Sequence, residues 1–392
     1  MTPAVPDAGT GSGIRERRPM KARMFMPAAL LVAMVLLVTP GGATYAGDRP
    51  FALVEEGMVN GDVWHSFGTS SYLGAMQPGE AYPVDIPVSL PAGAAVRSAR
   101  LQVYWTWSHE GSTGVPPEFA VTLDGTALPA GTRYSDRKGS GAYDYPYGLD
   151  AWNVTGLATG LGEHHVVVTN TGAAGREVSI YGAALLIVYE STSGPPCRYW
   201  VREGTDLLFN TTGISADQAT TSTTFEGVPP VARVRSARFT TIVPGADKGE
   251  SDRNEVFFND RSLGPVDAAS TQLQVAVNAT DVLAFLHEGT NTLAVQDRGD
   301  SMMPGTFILT VVVEADGPAL KPVPPMTSMP QDLDRDGVCE DLNGNNRRDF
   351  SDIVVFFNAM TWIAANEPIA SFDANRNGRI DFNDIVQLFN RL

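Results

Sequence analysis

The sequence has little of what catalysis usually requires. Its 392 residues include 5 histidines and 2 cysteines. It contains none of the HExxH, GxSxG, GxxxxGK[ST] or CxxC motifs that mark common hydrolases, nucleotide-binding proteins and redox enzymes. His164 and His165 are adjacent on a predicted strand, so their side chains point to opposite faces and cannot easily chelate one ion. We therefore expect a protein that is not an enzyme.

Cysteine and basic residues are also scarce, which restricts the class of protein further. Two cysteines are too few for a disulfide framework, and Cys197 and Cys339 fall in different predicted domains, so we expect both to be free. Basic residues are outnumbered, and the formal net charge is −16. That balance argues against nucleic acid as a partner and favours divalent cations.

Residues 1–46 are typical of a signal peptide. Basic side chains between residues 15 and 23 precede an apolar run at 26–38, and residues 43–46 (ATYA) are typical of a cleavage site. The apolar run is short for a membrane span, which needs about 20 residues. We expect a secreted, extracellular or cell-surface protein, with an uncleaved N-terminal anchor as the alternative.

The long middle of the chain has the sequence pattern of β-strands and contains an internal repeat. Leu101, Val103 and Trp105 alternate with polar neighbours, as in a strand with one buried face. Residues 96–100 (VRSAR) recur at 234–238, and residues 152–155 (WNVT) correspond to 277–280 (VNAT). This repetition predicts a mainly β fold with two tandem β-sandwiches of the jelly-roll or Ig-like type, at 47–193 and 194–315. The sequence of residues 278–295 resembles part of the galactose-binding-like jelly roll that occurs in sugar-binding sandwiches.

The C-terminal region carries a second duplication, made of oxygen-bearing side chains. Each copy places Asp or Asn at loop positions 1, 3, 5, 9 and 12, with an arginine carbonyl at position 7, which is the spacing of a loop that wraps Ca²⁺. We expect each loop to bind one Ca²⁺ and to be followed by a helix. The first set is Asp341, Asn343, Asn345, Arg347, Asp349 and Asp352; the second is Asp373, Asn375, Asn377, Arg379, Asp381 and Asp384.

Two Ca²⁺ loops, each followed by a single helix, resemble a type I dockerin, and the resemblance covers residues 332–392. It implies a Ca²⁺-folded α-helical module that docks to a cohesin-like partner or a surface scaffold. Dockerins read their partner largely with loop positions 10 and 11, which here are Phe350 and Ser351, and Phe382 and Asn383. These differ from the hydroxyl pair of cellulosomal dockerins, and the chain is more similar to the archaeal variety.

The segment that leads into the first loop could form an overlapping third Ca²⁺ site, similar to those of thrombospondin type 3 repeats. Its ligands at positions 1, 3, 5, 7, 9 and 12 would be Asp332, Asp334, Asp336, Val338, Glu340 and Asn343. The alternative is that these acids are merely solvated. The preceding residues 316–331 are rich in proline and hold little that could be buried, so we expect an extended spacer.

The whole arrangement resembles secreted proteins of methanogenic archaea that carry domain of unknown function 3344, a likeness that implies no activity. We expect a noncatalytic surface protein that docks through its C-terminal module. The alternatives are a carbohydrate-binding protein acting through the sandwiches and a structural envelope or adhesion protein. The carbohydrate alternative depends on aromatic residues at 143, 145 and 147, close in sequence to Trp152, because aromatic faces can stack on sugars. These aromatics could instead pack the edge of the sandwich or the contact between the two copies, and we favour packing.

Overall fold

The computed structural model of the protein describes residues 45–139, 144–159, 162–211, 213–246, 254–266, 274–299, 301–314, 320–334 and 337–392. Within these residues the chain forms antiparallel strands in three sheets, followed by two α-helices. The prediction of a mainly β chain with helices after the acidic loops is confirmed. The predicted signal peptide lies outside the described residues up to residue 44. None of the helices in the described ranges is long and apolar enough to cross a bilayer.

The strands of the first half of the chain are β1 Ala52–Ser66, β2 Leu73–Met76, β3 Ala81–Val88, β4 Ala95–Glu110, β5 Thr113–Gly114, β6 Phe119–Leu123, β7 Thr126–Ala127, β8 Thr132–Asp136, β9 Tyr147–Asn153, β10 Gly162–Asn170 and β11 Arg176–Glu190. The second half contributes β12 Pro196–Glu203, β13 Thr220–Val228, β14 Val234–Pro244, β15 Asn254–Phe258, β16 Arg261–Pro265, β17 Val275–Asp281, β18 Gly289–Asp297 and β19 Thr306–Val313. The helices are α1 Phe350–Asn366 and α2 Phe382–Phe389.

The strand order shows the duplication directly. One large sheet runs β17-β14-β19-β12-β1-β11-β4-β9-β8, with β2 beside β11 and β5 beside β4. Two smaller sheets run β3-β10-β6-β7 and β13-β18-β15-β16. The order β1-β11-β4-β9 in one half of the large sheet matches β12-β19-β14-β17 in the other, and the smaller sheets match strand for strand. The repeat that the sequence predicts is therefore a repeat of topology.

The two halves join where β1 meets β12. Residues 52–60 of β1 pair with β12, whereas residues 61–66 pair with β11. Gly61 lies at this change of partner, and a Cβ atom there would be 1.9 Å from the carbonyl oxygen of Tyr189. Only glycine fits so close an approach between backbones. The N-terminal half of β1 thus extends the sheet of the second repeat.

Each small sheet shares a hydrophobic core with its half of the large sheet. The first core includes Val84, Ile86, Leu101, Val103, Val166, Val168, Leu185 and Ile187. The second includes Phe51, Phe225, Phe239, Phe258, Leu293, Phe307 and Leu309. Alternating side chains from both layers fill each core, which is the usual way in which period-two strands bury apolar area.

The reverse face of the large sheet is buried as well, which strand alternation alone did not indicate. Gln102 and Tyr104, on the polar side of β4, are 0% exposed. The Tyr104 hydroxyl is 2.7 Å from Thr306 Oγ1, and Gln102 donates to Glu203 over 2.8 Å. Arg100 completes this network with two bonds to Glu203, of 2.8 and 2.6 Å. The two repeats are thus tied together by a buried polar network.

The C-terminal helices have a third core, separate from the β cores. It includes Leu342, Ile353, Phe356, Ile363, Phe372, Ile385 and Leu388. Part of the proline-rich segment joins it: Val323 is 0% exposed, and the amide of Lys321 donates to Glu367 over 3.2 Å. Within residues 320–331, Leu320, Val323 and Met326 therefore pack against the helices, whereas most of the other side chains are exposed or half-buried.

Candidate metal loops and docking surface

Position 1 of each duplicated loop is built in the same way. Asp341 accepts hydrogen bonds from the amides of Asn345 and Asn346, over 3.0 and 2.6 Å. In the second loop Asp373 accepts from positions 5 and 6 over 3.0 and 2.6 Å. Position 6 has the left-handed conformation in both, with φ of 63° at Asn346 and 84° at Gly378. Glycine adopts this conformation without a steric cost, and asparagine tolerates it better than most residues.

Position 12 closes each loop onto its own backbone. Asp352 accepts from the amides of Asn343 and Asp349, over 3.2 and 2.9 Å. The equivalent Asp384 accepts from positions 3 and 9 of the second loop, over 3.1 and 2.7 Å. Both residues are 0% exposed. The two copies therefore agree in hydrogen bonds as well as in sequence.

Position 9 of each loop also begins a helix. Asp349 is the N-cap of α1 and Asp381 is the N-cap of α2. Each forms a capping box with the position-12 aspartate three residues later. A cap of this type satisfies amides that would otherwise have no partner, and its negative charge suits the helix N-terminus. The loop and its helix are thus one structural unit.

Burial and neighbouring negative charges disfavour ionisation of the position-12 carboxylates. Burial raises the pKa of Asp352, and the charges of Asp341 and Asp349 raise it further against the effect of the backbone bonds. The pKa of Asp384 is raised by the same causes in the second loop. In contrast, hydrogen bonds from Ser351 hold the pKa of Asp349 below its usual range. A bound divalent cation would relieve the repulsion between these groups.

The carboxylate oxygens of the three aspartates in each duplicated loop lie farther apart than those of two other acidic clusters. In the part of the chain that the structure describes, three carboxylates offer oxygens within 4.8 Å of one another in two places only. One is Asp48, Asp136 and Asp206; the other is Asp332, Asp334 and Glu340. The loop aspartates are instead directed toward backbone amides, so Ca²⁺ would have to draw them inward.

The first of those clusters already has its cation. The Lys138 ammonium lies 3.1 Å from Asp136 and 3.0 Å from Asp48, and it also contacts Asp206. Arg49 adds a second positive charge 3.0 Å from Asp136. This cluster is an internal ion-pair network and leaves no need for a metal.

The structure describes five of the six ligands predicted for the third site. Asp332, Asp334 and Glu340 converge, whereas Asp336 lies outside the described residues. The Asn343 side chain donates to Ser351 Oγ over 2.6 Å, and Val338 is buried. The segment therefore brings three of its predicted ligands together.

An apolar groove of about 430 Å³ lies between the two helices. Its lining is Phe350, Ile353, Val354, Phe357, Phe382, Ile385, Val386 and Phe389. The four phenylalanines are between 52% and 61% exposed. Exposed apolar surface concentrated in one place is a common feature of interaction surfaces. We refer to these eight residues as the interhelical groove.

The groove contains half of the residues that the sequence predicts for partner binding. Phe350 and Phe382 line it, but Ser351 and Asn383 do not. Ser351 and Asn383 instead hydrogen-bond to the N-cap aspartates. Phe357 and Phe389 were missed as surface residues, although each stands one helical repeat after a predicted contact. Their i+7 spacing was the available signal.

Of the aromatic residues predicted to bind sugar, the described ones do not all lie on one face of the fold. Tyr147 and Trp152 are an odd number of residues apart on β9, so they point to opposite faces, and both are buried. Tyr145 stacks on His109 with ring centroids 4.5 Å apart, and Tyr143 lies outside the described residues. Trp152 instead borders a cleft of about 480 Å³ with Arg133 and Asp150. Tyr147 and Trp152 of this aromatic stretch therefore pack inside the fold.

The fold and these sites define a mainly β protein, built on a duplicated sheet arrangement, that ends in two acidic loops and two helices. A family model described as "Protein of unknown function (DUF3344)" matches residues 44–312. Because the match covers more than half of the chain, the chain belongs to the DUF3344 family. No curated protein matches it.

Solved structures resemble the chain only remotely. The extracellular domain of ANXUR2 from Arabidopsis thaliana is 9% identical, covers 64% of this chain and 88% of its own, and has a TM-score of 0.22. PNGase F, a glycosylasparaginase from Flavobacterium meningosepticum, is 10% identical over 65% of this chain and 97% of its own, with a TM-score of 0.22. Likenesses at this level carry no inference about the present chain.

Proposed function

We propose that the protein is a secreted, noncatalytic surface protein whose C-terminal residues 332–392 form a dockerin. In this proposal Ca²⁺ folds the duplicated loops, and the interhelical groove docks onto a cohesin-like protein or a surface scaffold. The two β repeats form tandem jelly-roll-like sandwiches, and the dockerin attaches them to the partner. The observation that carries the proposal is the coincidence of two equivalent acidic loops with one exposed apolar groove on the helices they cap.

The charges of the module explain why Ca²⁺ and docking belong together. Residues 332–392 contain eleven acidic and six basic side chains, a formal charge of −5. Two Ca²⁺ ions would reduce that to about −1, so that a bound module could approach a partner without strong repulsion. Since metal binding to such loops is coupled to folding, the groove would form fully only when Ca²⁺ is present.

The partner that fits the groove is a folded protein with an apolar surface. The groove is lined by aliphatic and aromatic side chains only, which suits protein contacts, since aromatic residues are enriched at interface centres. A sugar ligand would need polar groups placed in the groove to fix its orientation. A second copy of this chain is the competing occupant, and the experiment below separates it from a different protein.

The test is Ca²⁺-dependent capture by the whole chain. The immobilised chain is exposed to a native envelope extract in Ca²⁺, washed, and eluted with EDTA. Support requires a partner that elutes with EDTA, rebinds when purified, and fails to bind a Phe350→Ala/Phe382→Ala chain. Ca²⁺-dependent dimers in light scattering would identify a second copy as the occupant. A purified partner that binds equally in EDTA would contradict the proposal.

The alternative function, carbohydrate binding by the β repeats, is supported by the cleft beside Trp152. Arg133 and Asp150 form a bidentate pair within it, with distances of 2.8 and 2.6 Å, and Trp105 also donates to Asp150 over 3.1 Å. Because these polar groups already satisfy one another, the cleft offers few free hydrogen bonds to a sugar. Docking is therefore the better-supported function.

A further inference from the structure

The segment leading into the first duplicated loop reproduces the turn of both loops. The amide of Gly337 donates to Asp332 Oδ2 over 2.8 Å, which is the bond from position 6 to position 1 that each duplicated loop makes. Gly337 has φ of 94°, so position 6 is left-handed here as well. The backbone bonds of Gln331 to Asp341, of 2.9 and 3.1 Å, hold the segment against the first loop.

Within this segment three carboxylates meet. Asp332, Asp334 and Glu340 each present an oxygen, and these oxygens lie within 4.8 Å of one another. Three negative charges at that separation repel strongly unless a cation lies among them. The Arg348 guanidinium lies 3.4 Å from Asp334, whose side chain is 47% exposed, so it screens the outer edge of the cluster.

Glu340, at the inner side of the cluster, has one carboxylate oxygen that is bonded and one that is not. Its side chain is 0% exposed, and its Oε2 atom accepts the amide of Leu333 over 2.9 Å. Its other oxygen, Oε1, is buried and receives no hydrogen bond from any described residue. A buried carboxylate oxygen without a partner is costly, and a metal ion is a usual remedy.

The contrast with the other three-carboxylate cluster is informative. There a lysine ammonium, that of Lys138, lies among the acids at 3.0 to 3.1 Å. Among the described residues no lysine or arginine forms an ion pair with Glu340. Lys138 thus lies among the acids of the first cluster, whereas the cation seen beside the second, Arg348, lies at its outer edge against Asp334.

We propose that Asp332, Asp334 and Glu340 bind a third divalent cation, Ca²⁺. Carboxylate oxygens alone select a hard cation, and Ca²⁺ accepts irregular sets of six to eight oxygens more readily than Mg²⁺, which demands a near-ideal octahedron. Water and the carbonyl of Val338, at position 7, would supply further ligands. The inference rests on the proposed function, because it adds an ion to the same Ca²⁺-folded module.

The test counts ions on the whole chain. Chelator-treated protein is titrated with CaCl₂ by calorimetry in the presence of millimolar Mg²⁺, and bound ions are counted by native mass spectrometry. We expect three Ca²⁺ on the wild type and two on Glu340→Gln. Because Glu340 is buried and its variant could misfold, Asp334→Asn tests the same site from the exposed side and should also bind two. Asp260→Asn, on an exposed turn of the second β repeat, is the matched control and should bind three.

The outcomes separate this inference from the proposed function. Two ions on the wild type and two on both variants would overturn the third site and leave the duplicated loops intact. No bound Ca²⁺ on the wild type would overturn both. Three ions on Asp334→Asn and on a folded Glu340→Gln chain would assign the third ion elsewhere and overturn the inference.

Discussion

Phe350 at the start of α1 lies edge-on to Phe389 at the end of α2, with ring centroids 6.3 Å apart and ring planes at 78°. The equivalent pair one repeat away, Phe382 with Phe357, has the same 6.3 Å separation and an angle of 79°. The interhelical groove is therefore pseudo-twofold symmetric. A partner would meet the same aromatic pattern in either of two orientations.

This symmetry predicts how the phenylalanines share binding. Phe350→Ala and Phe382→Ala should weaken docking by similar factors, and the double variant should lose it, because each single variant keeps one intact half. The binding constant of the purified partner measures this. Thr361→Ala is the matched control: Thr361 is exposed in the same helix but outside the groove, so its truncation should leave binding unchanged. Unequal single variants, with one abolishing binding, would argue against the twofold groove.

Removing position 1 of either loop should destabilise the protein only when Ca²⁺ is present. Asp341→Ala and Asp373→Ala each remove a ligand, so each should forfeit the stabilisation from one ion, about 2.7 kcal/mol at a Ca²⁺ concentration a hundredfold above the dissociation constant. Denaturant unfolding in Ca²⁺ and in EDTA measures the difference. A loss of the same size in EDTA would mean that these residues act through their backbone bonds alone.

Trp152 should matter for stability rather than for sugar binding. It is 6% exposed, and its indole donates to the carbonyl of Pro129 over 2.7 Å. Trp152→Ala should therefore cost about 3–5 kcal/mol of unfolding free energy, whereas Tyr145→Ala should cost much less. Thermal unfolding of both variants tests this. A Trp152→Ala chain of unchanged stability that loses binding on a glycan array would favour the carbohydrate alternative.

Asp124 should stabilise the fold above the acidic range. Although burial acts to raise its pKa, hydrogen bonds to the His164 ring and the His165 amide, both of 2.7 Å, hold the pKa below its usual value. Its contribution is therefore present above the unfolded pKa of about 3.9 and lost as the pH falls through the lowered folded pKa. Asp124→Asn should be less stable than the wild type near neutral pH, with the gap closing in acid. A gap that stays constant across this range would contradict the prediction.

Much of the C-terminal module could be predicted because its signals are local. Ligand spacing, the turn residues Asn346 and Gly378, and the aspartates that cap each helix are all set within a few residues of one another. The duplication in the β region was also predictable, because short sequence segments such as VRSAR recur in both copies. His164 and His165 pair with different acids, Asp124 and Asp85, as their opposite faces predict.

The features that could not be predicted depend on contacts between residues far apart in the sequence. Period-two alternation predicts one core face for β4, but the second repeat covers the other face, so Gln102 is buried too. The sharing of β1 between both repeats depends on pairing partners more than a hundred residues away. Likewise, helical periodicity gives the apolar positions of α1 but not which of them are left uncovered, as Phe357 is.

The two cysteines allow the most direct measurement of Ca²⁺-dependent folding. Both are free and buried: Cys339 belongs to the core of the C-terminal helices, and Cys197 lies within the joined β repeats. Burial raises the pKa of each thiol to about 12, so neither should react at neutral pH while its surroundings are folded. Cys197 is the internal control.

The measurement is iodoacetamide labelling of the whole chain, followed by peptide mass spectrometry, with Ca²⁺ or with EDTA. We predict that both thiols are protected in Ca²⁺ and that EDTA exposes Cys339 alone, because only the C-terminal core depends on the ions. Protection of Cys339 that is equally strong in EDTA would contradict a Ca²⁺-folded docking module.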